Sequence, residues 1–405
     1  MAYAVGLFKQ VAFKVETTFG TIAGATGGQL LRRTKSTIDL TKETYASNEL
    51  RTDFQIADFR HGVRSVAGQL SGELSPGTYS SLFGMAMKRD FAAVTPTAAA
   101  GLTIAGTGPS YTITRAAGSW LTDGIKNGMV VRLSVGALNA ANLAKNLLVL
   151  DVTSATVISV QPLNGAALVA EGPITGCTIT ATGKSSYVPT TGHTDKSMTI
   201  EHWFSDIAQS EQYTGVKIDK IALSLPPSGM ATVDFDLMGQ NVTTGTTQYF
   251  TSPTAVTTSA PLAAVNGVLR VGGVTLASVT GLSINVDPAY NGEAVVGSNV
   301  KPALFAGTIN VSGQFTAFFE NATLRDAFFN ETEIELLAAF TTDNTATADF
   351  VSIAIPRLKL GGAGKDDSMQ GLHVTLPFQA LLNVNGGTGV KSEKTTILIQ
   401  DSLAA

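Results

Sequence analysis

The chain has 405 residues, is 44% apolar and only 14% charged, and carries a net charge of −4. That length allows two or three domains of roughly 150 residues each, and the composition excludes disorder of the whole chain. Neither strong basicity nor a Lys/Arg run marks a nucleic-acid grip, and a surface this poor in charge is expected to be covered, most simply by further copies of the chain. Cys177 is the single cysteine, so no disulfide forms within the chain, which suits assembly in a reducing cytosol. No apolar run reaches the ~18 residues of a membrane span. The apolar stretch Ala2 to Phe8 is followed by Lys9 and Lys14 and lacks the order of a signal peptide, so the protein is expected to be made and kept inside a cell until lysis.

In chain order, period-2 runs rich in Thr, Val and Ser predict an all-β protein. The first is Ser36 to Leu40 (STIDL). Thr41 to Gly62 reads as a loop, longer than the usual 4–6 residues between strands. It is rich in aromatics and in charge of both signs, at Glu43, Tyr45, Glu49, Arg51, Asp53, Phe54, Asp58, Phe59 and Arg60. Such a loop either packs on its own domain or lies against a stacked neighbour, with Phe54 and Phe59 as anchors and the charges setting register. A strand holding Ser71 to Leu74 (SGEL) follows, then a Pro76-Gly77 break and a short helix over Thr78 to Met87.

From Ala92 to Thr191 aromatics and acids thin out and turn signals multiply. Strands are expected at Ser110 to Arg115, Met129 to Val135, Asn146 to Leu150, Thr156 to Val160 and Cys177 to Thr182, as in a small β barrel or sandwich. Related strands stand on both sides, so this piece reads as an insertion. Then come Met198 to Phe204 (MTIEHWF), Lys217 to Leu225 (KIDKIALSL) and Ala231 to Leu237 (ATVDFDL), and an uncharged Thr/Ser-rich linker, Thr243 to Pro261.

The remaining chain repeats the order. Leu282 to Val286 (LSINV) is followed by a shorter loop, Asp287 to Val300, and by a strand with Ser312 to Phe315 (SGQF). A second short helix spans Ala322 to Phe329, with Leu324 and Phe328 spaced i, i+4 for one buried face. Ile334 to Phe340 (IELLAAF), Phe350 to Leu360 (FVSIAIPRLKL) and Leu372 to Phe378 (LHVTLPF) close the chain. The echo of SGEL in SGQF, with matching elements around each, predicts a tandem duplication. The expected fold is mainly β, with two tandem β-sandwich or barrel domains, each with a short helix, plus an inserted small β domain. The expected boundaries are 1–91 plus 192–242, 92–191, a linker at 243–263, and 264–405.

No constellation adds up to catalysis. His61, His193, His202 and His373 are scattered without metal-ligand spacing, and His202 reads as a core or strand-face histidine. Cys177 reads as a small buried residue. Gly361 to Ser368 (GGAGKDDS) departs from a phosphate loop after its Gly-Lys and reads as a turn. The chain is expected to be no enzyme and to need no cofactor or metal.

The order KVETTFGT, SGELSPGTYSSLF, TIEHWFSDIAQSEQYTGVKIDKIALSLPPSG and FDLMGQ resembles the major tail tube proteins of long-tailed bacteriophages, of siphophage type. ITRAAGSWLTDGIKNGMVVRLSV resembles the extra β domain that such proteins carry outside the tail. The resemblance covers most of the chain and implies a structural virion protein of the phage tail, assembled in the bacterial cytoplasm. It implies stacked rings with a continuous inner barrel, forming the conduit for DNA delivery. It also implies partners: the tape-measure protein in the lumen, tail terminator and baseplate or distal tail proteins, and transient, non-specific passage of phage DNA. With two tube domains per chain, a trimer of pseudo-sixfold symmetry is expected; a hexamer is the alternative. Alternation then assigns lumen-facing candidates: Gln69, Ser71, Glu73, Asp234 and Asp236 in the first half, and Asn310, Ser312, Gln314, Thr375 and Gln379 in the second. The same pattern is that of an ordinary solvent face. The rival reading is a surface or secreted carbohydrate-binding β-sandwich protein, against which stand the missing export signal and the lack of clustered aromatic platforms.

Overall fold

The computed structural model describes residues 3–95, 97–134, 136–165, 167–276, 279–320, 322–366 and 371–405. Asp367 and Ser368 of the predicted 361–368 turn lie outside the described residues. The first half opens with β1 (Lys9–Val15), β2 (Gln29–Leu30), β3 (Lys35–Ser36), β4 (Asp39–Ala46), β5 (Phe59–Glu73) and the helix α1 (Ser80–Ala86). Eight strands follow: β6 (Thr97–Ala99), β7 (Leu102–Thr107), β8 (Ser110–Thr114), β9 (Val130–Ser134), β10 (Leu147–Val152), β11 (Val157–Pro162), β12 (Glu171–Ile174) and β13 (Cys177–Ala181). They form a sheet of their own. The first half resumes with β14 (Lys184–Tyr187), β15 (Met198–Phe204), β16 (Gln209–Leu225), β17 (Thr232–Gly239) and β18 (Asn241–Gly245). The second half holds β19 (Gly267–Val271), β20 (Val274–Thr275), β21 (Val279–Asp287), β22 (Asn310–Phe318), α2 (Thr323–Phe329), β23 (Ile334–Thr341), β24 (Phe350–Leu360), β25 (Gly364–Lys365), β26 (His373–Ala380) and β27 (Leu398–Asp401).

The two halves repeat one pairing order, antiparallel throughout. In the first, β1 pairs with β15, β15 with β16, β16 with β17, β17 with β5, and β5 with β4. In the second, β19 pairs with β23, β23 with β24, β24 with β26, β26 with β22, and β22 with β21. Each half is a two-layer sandwich. One long strand, β16 or β24, runs through both layers. Smaller features repeat too: the Ser205 N–H points to the Phe8 carbonyl at 3.5 Å as the Thr341 N–H does to that of Asn266 at 2.8 Å, each just ahead of the half's first strand.

The repeated glycine has a steric reason in each half. A Cβ on Gly72 would lie 1.8 Å from the Tyr79 hydroxyl, and one on Gly313 would lie 2.2 Å from the Ser283 carbonyl and 2.6 Å from the Phe378 ring. Both sites leave room for an aromatic ring against the sheet.

Inside each sandwich the alternating apolar positions meet. Leu70, Phe235, Ile221, Ile284, Phe315 and Leu376 belong to one core shared by the two halves. Burying each such side chain contributes about 1.5–3 kcal/mol. β23 shows what its unbroken apolar run encodes: Leu336, Ala338 and Phe340 enter that core, whereas Leu337 and Ala339 on the opposite face pack against the inserted sheet. The insertion, which leaves the chain between α1 and β15, is therefore seated on the second half. Asn146 Nδ2 donates to the Ala348 carbonyl at 2.7 Å, and the Gln400 carboxamide spans Val130 and Thr182.

Several sequence expectations need correction. Thr41 to Gly62 is not one loop, because the ladder between β4 and β5 continues out to Ala46 opposite Phe59, and beyond it the Ser47 N–H still donates to the Asp58 carbonyl at 2.9 Å. The counterpart in the second half is the longer connection, residues 288–309 between β21 and β22. Ser36 to Leu40 is interrupted after Ser36 and resumes at Asp39. β14 lies in the stretch read as an insertion yet pairs with β27 of the second half. The predicted linker is a strap: Phe250 and Leu262 are fully buried, and Glu201 accepts from the Phe250 N–H at 2.9 Å. The helix α2 has no buried residue; Leu324 and Phe328 only pack partly buried at the margin of the core.

Candidate assembly surfaces

The strands β4, β5, β17, β16, β21, β22 and β26 and the end of β24 stand side by side, because β16 of the first half pairs directly with β21 of the second. Directly paired residues point to the same face of a sheet, so the registers trace rows across the joint. One row runs Lys35, Ser71, Asp234, Ala222, Asn285, Ser312, Gln379, Lys359. A second runs Glu73, Thr232, Ser224, Ser283, Gln314, Pro377. Flanking pairs are Gln69 with Asp236, Asp287 with Asn310, and Thr316 with Thr375. All ten residues singled out by alternation thus lie on one face of one sheet. Sequence reasoning passed over Lys220, Ala222, Ser224, Ser283 and Asn285. The signal for them was present, since they alternate with buried Ile221, Leu223, Leu225, Leu282, Ile284 and Val286.

This face is polar and mixed in charge. Glu73, Asp234, Asp236 and Asp287 share it with Lys35, Lys220 and Lys359. The Gln69 Nε2 donates to Asp236 at 3.0 Å, and Gln379 Nε2 to Asn310 at 2.6 Å, so neighbouring side chains engage one another along the face.

Among the described residues, the sheet ends on two edges. β3 is paired with β5 on one side, and the stretch from Lys359 through β25 is paired with β26 on one side. Superposing the halves by their ladders, Ser71 on Ser312 and Asp234 on Gln379, puts Ala222 on Lys359 and Asn285 on Lys35. The two edges are therefore the two sides of the internal β16–β21 joint, displayed at opposite ends of the sheet.

The β4–β5 hairpin projects from the sandwich. Its tip carries Phe54 (98% exposed) and Leu50 (104%), with Ile56, Tyr45 and Phe59 also exposed. Its ionic contacts are local: Arg51 bonds Asp53 in two-pronged fashion and Arg60 bonds Asp58 at 2.7 Å. The Arg51 guanidinium holds the Asp53 carboxyl below its ordinary range. All nine loop candidates lie on this hairpin; the apolar Leu50 and Ile56 beside them were missed, since an isolated aliphatic in a polar stretch gives no periodic signal.

Other titratable groups serve the fold. Burial pushes the His202 imidazole down to about 3, helped by the charges of Lys9 and Arg33, and its Nε2 lies 2.9 Å from the Ser36 hydroxyl. Burial raises the Cys177 thiol above its ordinary value. Among the described residues, no group of three or more His, Cys, Asp or Glu is arranged to hold a metal ion, and no helix is long and apolar enough to cross a membrane.

A family model described as phage tail tube protein matches residues 9–380, most of both halves together with the insertion in the first. No curated protein matches the chain.

Proposed function

The chain belongs to the phage tail tube protein family, and from that premise we propose that it closes into rings by repeating its own internal joint, and that the polar sheet face lines the bore. The observation that carries this reading is the unbroken face running from Lys35 to Lys359 across both halves, with complementary edges at its two ends. An exposed strand edge seeks a partner, and a head-to-tail contact that closes a rotation gives a ring. Two sandwiches per chain related as neighbours make three chains a six-lobed ring.

The layers support the orientation. The insertion packs on the far side of β23 and β24, separated from the polar face by two sheets and the core between them. With the face turned inward, the insertion sits outside. A bore with a small excess of carboxylates, and no aromatic in the two rows traced above, is suited to conduct duplex DNA, which carries about one negative charge per 1.7 Å, without gripping it. The same bore accommodates a tape-measure protein during assembly. The hairpin tips, exposed and apolar, stack one ring on the next, and the tube's ends meet terminator and baseplate proteins of the tail.

Electron cryo-microscopy of the assembled protein tests the reading. The expected result is a tube with three chains per ring, the 71–234–222–285–312–379 row inside and the insertion outside. A protein that stays monomeric under every assembly condition, or a tube with that face turned outward, overturns it.

A further inference from the structure

The hairpin tip and the helices stand at opposite ends of the polar sheet. Four antiparallel steps lead from β5 through β17, β16 and β21 to β22, so β5 and β22 run the same way. The helix α1 follows the end of β5 and α2 the end of β22, whereas the tip, residues 47–58, precedes the start of β5. Strands of a closed barrel tilt about 35–45° from its axis, so in a ring built on this sheet one rim carries the tip and the other the helices.

The helical end is not closed equally in the two halves. In α1, Leu82, Phe83, Met85 and Ala86 are buried, whereas in α2 no residue is. Beside α2 lies a cavity of about 480 Å³ walled by Val274, Leu276, Phe319, Leu324, Ala327 and Ile334. The pocket beside α1 is smaller, about 190 Å³, and Ser80, Ser81, Asp90 and Lys196 make its wall more polar.

At the other end the arms of the two halves differ in the complementary sense. The second half's arm, residues 288–309, is fastened to the first half. Tyr290 donates its hydroxyl to Asp195 at 2.8 Å, and the Lys301 and Leu304 carbonyls accept from Gln240 Nε2 at 2.7 Å and Lys217 Nζ at 3.1 Å. The first half's arm, the β4–β5 hairpin, ends in exposed Leu50, Phe54 and Ile56. Phe54 is held at a φ of 56°, a left-handed conformation costly for a bulky residue, and a contact made outside the monomer can offset that strain.

Each chain thus presents an apolar tip on one rim and an apolar cavity on the other. We propose that the tip of one copy enters the cavity beside α2 of a copy in the adjacent ring, with Phe54 as its anchor. This rests on the stacking reading above and assigns it a receptor. The margins match in charge as well: Arg51 pairs with Asp53 at 2.8 Å on the tip, and Arg325 with Asp326 at 2.7 Å on the cavity lip. Laid head to tail, the two pairs complement each other and fix the register of stacking. A head-to-tail contact that does not close on itself extends into a filament, as a tube requires.

The test uses the full chain with Gln55→Cys and Asn330→Cys in a Cys177→Ala background, two exposed positions that flank the tip and the cavity. Assembled tubes treated with a short bismaleimide should give covalent chains that run well past trimer on a denaturing gel, since each copy is linked to the ring above and the ring below. Either cysteine alone should give none. Separately, Phe54→Asp alters an exposed residue, so its monomer should melt as wild type does. The protein concentration it needs for tube formation should rise about tenfold or more, the size expected for losing one buried aromatic side chain. If tubes form and the paired cysteines give no cross-link, the tip is seated elsewhere, and the proposal falls while the ring reading stands. Tubes formed by Phe54→Asp at the wild-type concentration overturn it too. If wild-type protein never assembles, both readings fall.

Discussion

Asn285 lies directly opposite Ala222, and through the ladder around that pair the two halves of the chain share one sheet. In the proposed ring the same relationship, shifted by one half, sets Lys359 of one copy opposite Lys35 of the next.

This placement predicts a cross-link. Cysteines at both positions, in a Cys177→Ala background, should form a disulfide only between chains, since strands paired directly hold Cα atoms within bridging range. Mild oxidation of tubes should yield covalent dimers and trimers on a non-reducing gel, and the ladder should stop at trimer. A ladder that runs on to hexamer would show six chains per ring. Absence of cross-links in well-formed tubes would show that the edges join in another register or not at all.

Charge on the polar face should govern passage rather than assembly. Glu73→Lys with Asp234→Lys and Asp236→Lys reverses three carboxylates on partly exposed positions of the face. Tubes should still form, but DNA release from virions carrying the variant should slow, and the slowing should lessen with salt as screening shortens the reach of the added charge. Release at the wild-type rate argues that this face does not meet DNA.

Replacing the hairpin tip, residues 47–58, by a two-residue Asn-Gly turn should separate ring closure from stacking. The deleted residues lie beyond the last ladder pair, Ala46 with Phe59, so the body should keep its melting temperature. Rings should then accumulate without elongating. Tubes of ordinary length from this variant would refute a stacking role for Phe54 and its neighbours.

Gly72→Ala should be costly. Tyr79 cannot easily yield, because its hydroxyl donates to the Arg32 carbonyl at 2.9 Å and its ring packs 5.5 Å from that of Phe235. Overpacking of this kind costs about 1–3 kcal/mol. Adding Tyr79→Phe, which removes the clashing oxygen, should recover part of the loss in chemical denaturation. If Gly72→Ala leaves the midpoint where it was, the steric account of the repeated glycine is wrong.

Acid should weaken the monomer through His202. An unfolded histidine takes up a proton below about 6.5, whereas the buried imidazole stays neutral down to about 3. The unfolded state then binds more protons, so this contribution to stability is intact above about 6.5 and is lost progressively as pH falls toward 3. His202→Gln should flatten the fall in melting temperature between pH 7 and 5. Asp401 works in the opposite sense: burial pushes its carboxyl up to about 6, so its ionisation costs stability in full above about 6, and the cost is relieved as pH falls from 6 toward the unfolded value of about 3.9. Asp401→Asn should therefore stabilise more at pH 8 than at pH 5. Equal slopes in variant and wild type would rule out these two groups as the source.

Much of the fold was legible because side-chain direction in a strand is local. The pleat alternates every residue, so ATVDFDL alone determined that Asp234 and Asp236 share a face while Val233, Phe235 and Leu237 take the other. The echo of SGEL in SGQF likewise announced two related units, and the missing side chain at each glycine is explained within its own half. The unbroken apolar run is Leu336 to Phe340 (LLAAF), the pattern of a strand buried on both faces. It did not say by what, since Leu337 and Ala339 are covered by a sheet that leaves the chain more than 150 residues earlier.

What covers a second face depends on which distant segments pack together, and nothing in a local pattern carries that information. The same holds for the joint of Ala222 with Asn285, for the strap that buries Phe250 and Leu262, and for the open cavity beside α2. The sequence by itself determined the strands, their polar face and the repetition. Only the tertiary structure decided that the two polar faces are one, because continuity across a sheet is set by the pairing of remote edges and not by the residues along either strand.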